Sequence, residues 1–134
     1  MKAPLSLGFF GLFGRSPVLR EFDTALRSVD LHPKLVPEAI KLTAMKMLME
    51  QTGRDDPGVA AMRSAAEIIA YCIIGADAFA GTNTVRLADD IEQRIDAALA
   101  TGTNLDAKLV LLALHARVIQ QSVVDHFKLE VVSD

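Results

Sequence analysis

The chain has 134 residues, 51% apolar and 23% charged, with a formal net charge of −3. That length supports one domain with its own core, and that composition excludes disorder as the main state. The balance of 14 basic against 17 acidic residues argues against a general nucleic-acid binder, and the lone Cys72 rules out an internal disulfide framework.

Residues 1–15 form a segment apart, with Phe9, Phe10 and Phe13 set between Gly8, Gly11 and Gly14. Lys2 followed by an apolar run resembles a secretory signal, but Gly14-Arg15-Ser16 follows it instead of a small-x-small cleavage pattern. The expectation is therefore a cytoplasmic protein whose bundle occupies residues 16–134. The three Phe rings carry too much apolar surface to leave in water without consequence. They are candidate interaction residues, docking on their own bundle, on a second copy, or on a membrane surface, or else staying unfolded. The flanking Lys2 and Arg15 do not make the basic face of a strong membrane binder.

The first helix is expected over 17–29, capped by Ser16 with Pro17 in its first position. Its apolar residues Val18, Leu19, Phe22, Ala25, Leu26 and Val29 recur on one face. Pro33 and Pro37 cannot share a helix interior, so the second helix is expected over 37–51, ending at Gly53. Asp55-Asp56-Pro57 reads as a start signal, with Asp56 the cap and Pro57 the first helical residue. The third helix is expected over 57–79, with Ser64, Glu67 and Tyr71 as a polar stripe. From Ile68 onward it is apolar all round, which places it at the centre of the molecule.

A fourth helix is expected over 84–100, stopped by Gly102. Thr103-x-x-Asp106 resembles a capping box opening a fifth helix over 105–128. The only strand pattern is Glu130-Val131-Val132. Alanine occurs 19 times and leucine 17 times, both strong helix formers. The fold class is all-α: a single-domain bundle of about five helices.

Chemistry-bearing patterns are few. His115 and His126 on one continuous helix would stand roughly 16 Å apart, too far to share a metal, and no HExxH, CxxC or calcium loop is present. No metal and no cofactor is expected. Cys72 sits in an apolar stretch with no basic residue within one turn, which suits a buried structural thiol rather than a nucleophile. Asp89, Glu92 and Asp96 read as a solvated face. No GxSxG or SxxK occurs, and the expectation leans away from an enzyme, although sites assembled only in the fold carry no local motif.

Asp77 stands out as a carboxylate near the end of an apolar helix. It is expected to be buried, with Arg86, Arg117 or His115 as partner. Its functional reading is the polar anchor of an apolar pocket, with Tyr71 and His115 as further ligand-binding residues. The leading expectation is a non-enzymatic protein that self-associates, as a dimer, and acts as an interaction module. It rests on two stretches that are apolar all round, the second half of the third helix and residues 109–114. The small-ligand-binding bundle is the alternative, and peripheral docking through the Phe residues the second alternative.

Overall fold

The side chain of Ser16 accepts the amide N–H of Leu19 at 3.2 Å, and Pro17 follows in the first helical position, so the first helix starts where its cap dictates. The computed structural model describes residues 16–129. Their helices are α1 (Pro17–Ser28), α2 (Glu38–Thr52), α3 (Val59–Ile74), α4 (Ala76–Thr82), α5 (Val85–Thr101), α6 (Leu105–His115) and α7 (Gln121–Phe127), with a 3-10 turn at Pro33–Leu35. The fold is all-α, and no strand occurs among the described residues. The Phe-rich segment and the strand pattern at 130–132 lie outside the described residues.

α3 is the central helix, packed against α1, α2, α4, α5 and α6. Ala65, Ala66 and Ala70 are buried on it, and side chains this small let neighbouring helices approach closely. α1 lies along it and buries Leu19, Phe22, Ala25 and Leu26. The expected polar stripe of α3 is the seam against α5. Ser64 and Glu67 bond Arg94, and Tyr71 bonds Glu92. Arg94 also forks onto Asp106 of α6, so one guanidinium ties three helices together. On the other side of the bundle, Lys41 of α2 is buried and reaches Asp23 of α1 at 3.2 Å.

Four expectations at helix ends need correction. α3 begins at Val59 with Gly58 as its cap, while Asp56 accepts the Gly58 N–H at 3.0 Å, so the Asp-Pro pair builds the turn before the helix. The cap of α6 is Asn104, which accepts from Ala107; Asp106 is drawn to Arg94 instead of completing a capping box with Thr103. The expected third helix breaks at Gly75 into α3 and α4, and the expected fifth breaks after His115 into α6 and α7.

The second break is closed by a local hydrogen-bond pattern. The N–H of Val118 bonds the carbonyl of Ala113, the N–H of Arg117 bonds that of Leu114, and Arg117 sits at φ 61°. This is the paired closure that usually places glycine in the left-handed position. Asp30 after α1 and Lys128 after α7 close their helices the same way. An L-residue there costs roughly 1 kcal/mol. Arg117→Gly is therefore expected to raise stability by about 0.5–1 kcal/mol, seen as a higher urea midpoint with an unchanged slope. An unchanged or lowered midpoint would mean that the Arg117 side chain contributes more than its backbone strain costs.

Candidate ligand cleft

Two broken helices meet in one place. Gly75 ends α3 at φ 90°, ψ 164°, a region essentially closed to other residues. Because α3 stops there, the carbonyl of Cys72 is released from the helical ladder and accepts the N–H of Gln120 at 2.7 Å. That bond brings the start of α7 against the break. A Cβ on Gly75 would stand 3.3 Å from Ser122 Oγ, so any larger residue would have to push that side chain aside as well as adopt the positive φ.

Between them lies a half-open cleft of about 350 Å³. Tyr71, Ile74 and Val123 give it an apolar floor, and Asp77, Ser122 and His126 bring polar groups to it. Tyr71 is itself buried. Its hydroxyl donates to Glu92 Oε2 at 2.7 Å, and its ring stands edge-on to Phe79 at 5.8 Å and to Phe127 at 6.3 Å. Its phenol is held well above the ordinary range, first by burial and then by the hydrogen bond to the Glu92 carboxylate. Tyr71 therefore serves the cleft as a fixed, neutral ring. Glu92 is a partner for that ring rather than part of a solvated face, which corrects the expectation for it.

Asp77 and Tyr71 are brought together at this cleft, as their pairing in one pocket requires. The expected surroundings of Asp77 are corrected: it is exposed, not buried, and it occupies the first turn of α4, not the end of a longer helix. Among the described residues no hydrogen bond or ion pair joins it to Arg86, Arg117 or His115. His115 is also corrected. It is exposed at the end of α6 and does not line the cleft, where His126 stands instead. The turn at residues 116–120 reverses the geometry that a continuous helix would have imposed, so the 16 Å separation of the two histidines does not apply. Ser122, Gly75 and His126 were missed from sequence. Gly75 was the available signal, a glycine inside an apolar helical run with no other evident purpose.

Cys72 is buried, and burial pushes its thiol up to about 12, which leaves almost no thiolate at neutral pH. Among the described residues no group of three or more His, Cys, Asp or Glu side chains is placed to hold a metal ion. No single described helix is long and apolar enough to cross a membrane. Comparison with known proteins finds no matching family, no matching curated sequence and no matching solved structure.

Proposed function

We propose that this is a small-ligand-binding helical protein whose cleft takes a small amphipathic cation. One observation carries the reading: the breaks at Gly75 and at residues 116–120 leave a cleft of about 350 Å³ that joins an apolar floor to the exposed carboxylate of Asp77. Ligand sites have this construction, a mostly apolar concavity of about 300–1,000 Å³ with a few convergent polar groups. An aromatic or branched body would rest on Ile74, Val123 and the Tyr71 ring. An ammonium group would face Asp77, with the Ser122 hydroxyl as a second acceptor.

The probe is 2-phenylethylamine, titrated by calorimetry into the full chain. Binding is expected, and Asp77→Asn is expected to weaken it by roughly ten-fold or more, about 1.4 kcal/mol. Because Asp77 is exposed and without a partner among the described residues, the melting temperature should not move. No binding to the unaltered chain, or equal binding by both proteins, would sink the proposal. A lowered melting temperature with unchanged affinity would make Asp77 a structural residue.

Self-association as a dimer draws less support from the geometry. The apolar stretch at 109–114 is largely absorbed within the bundle, with Leu109, Val110, Ala113 and Leu114 buried and Leu111 exposed. The exposed large apolar residues are spread over the 3-10 turn (Leu35), α2 (Leu42), α3 (Val59), α5 (Val85 and Leu99) and α6 (Leu111). Isolated apolar residues of this kind are ordinary on a protein surface.

A further inference from the structure

A second concavity, away from the cleft, lies between α1 and α2. It holds about 140 Å³ and is walled by Val18, Leu19, Leu42, Met45 and Met49, with Ser16 at one edge and Lys46 at its rim. Leu42 is 49% exposed, a large apolar side chain in water beside two thioethers. Nothing in the ligand-binding reading uses this groove.

We propose that the groove is the seat of the chain's own residues 1–15, with one Phe ring of that segment filling it. Three observations converge on this occupant. The first is size: an apolar cavity of about 150 Å³ accepts one benzene ring, and the groove measures about 140 Å³. The second is reach. Ser16, where the segment joins, lines the groove itself. Phe13 lies three residues upstream and Phe10 six, so extended chain spans of about 10 and 20 Å bring either ring within range. The third is chemistry. Methionine sulfur contacts aromatic ring edges favourably, and Met45 and Met49 both face the groove. Gly11 and Gly14 supply the backbone freedom that a chain folding back on itself needs. The tether makes docking intramolecular, so the effective concentration of the rings at the groove is in the millimolar range or above.

The test is a methyl spectrum of the full chain labelled at methionine. A docked ring displaces the Met45 and Met49 methyl signals by its ring current, and the core residue Met62 serves as internal reference. Replacing Phe9, Phe10 and Phe13 together by Ser is expected to return the Met45 and Met49 signals toward their unperturbed positions and leave Met62 in place. Leu42→Lys changes an exposed wall without touching the core, and is expected to have the same effect on the Met49 signal. Both shifts should be independent of dilution from 500 to 10 µM (roughly the range where weak dimers dissociate). Unmoved Met45 and Met49 signals in the triple Ser variant would overturn the proposal. So would signals that change on dilution, or that unlabelled full chain restores when added to the labelled triple variant, since either result assigns the groove to a second copy. Loss of binding to zwitterionic phosphatidylcholine vesicles, with no methyl change in the triple variant, would overturn it in favour of a membrane surface.

Discussion

Gly75→Ala is expected to destabilise the protein by about 2–4 kcal/mol, among the largest effects of any single methyl addition here. Two costs combine. The backbone at φ 90°, ψ 164° lies where residues other than glycine are strained by roughly 1–3 kcal/mol. The added Cβ would also meet Ser122 Oγ at 3.3 Å and Gln120 Cγ at 3.5 Å. Relief of that crowding moves Gln120, whose N–H is the partner of the Cys72 carbonyl. Urea unfolding measures the loss, and Gly81→Ala is the control. Gly81 lies inside α4 with nothing within 4 Å of an added Cβ, so alanine there should be neutral or stabilising by up to about 1 kcal/mol. Adding Ser122→Ala to Gly75→Ala separates the two costs: it removes the Oγ that the new Cβ meets but leaves the backbone strain, so only part of the stability should return. Equal stabilities for the two alanine variants would show that the break does not depend on glycine. The same substitution is expected to weaken 2-phenylethylamine binding, because Ser122 belongs to both the break and the cleft.

Arg94→Ala is expected to cost about 2 kcal/mol. Arg94 Nε and Nη2 hold the two carboxylate oxygens of Asp106 at 3.1 and 2.9 Å, and Nη1 holds Glu67 at 3.0 Å. Nη2 also reaches the carbonyl and the hydroxyl of Ser64 at 3.0 and 2.8 Å. Removing the guanidinium leaves two carboxylates facing a shared gap, both partly buried. The Arg94 side chain is 25% exposed, so solvent screening keeps the cost below that of a fully buried pair. Arg94→Lys should recover less than half of the loss, because an ammonium cannot fork across one carboxylate while holding a second. The gap between native and Ala variants should narrow in 0.5 M salt. A loss under about 0.5 kcal/mol would place this cluster with ordinary surface pairs.

The residues of this cluster were visible in sequence, yet their association was not. Ser64 and Glu67 form a recognisable stripe, but nothing at helical spacing points them to Arg94 on another helix, and helical spacing is the only neighbourhood a sequence displays. Asp106 was assigned to a cap for the same reason. A longer-range demand, from a cation on another helix, outweighed the local one, and Asn104 took over the capping. Asp77 failed in the other direction. Its apolar neighbours implied burial only as long as the helix continued through Gly75. Once the helix breaks, the residue lies in the first turn of a short helix with water in front of it.

What the sequence determined by itself was the helical class, the central helix, and the helix ends at Ser16, Gly53 and Gly102, whereas the signals at Asp56-Pro57 and Thr103 were overruled. Ser16, Gly53 and Gly102 cap or stop their helices where expected, because each acts within three or four residues. The burial of α3 from Ile68 to Cys72 was legible too, since a stretch apolar on all sides has only one stable destination. Tertiary structure alone decided the two breaks, the seam at Arg94, and the cleft. Gly75 could have remained inside a helix at a modest cost of about 1 kcal/mol. It bends instead because α7 packs against it and supplies the Gln120 N–H for the Cys72 carbonyl. Arg117 adopts a left-handed backbone that its side chain disfavours, because the closing bonds to Ala113 and Leu114 and the packing of the returning chain outweigh that cost. Interactions local in sequence start and stop helices; a helix breaks in mid-run when contacts distant in sequence make the broken form lower in free energy, and those contacts exist only after the chain has folded.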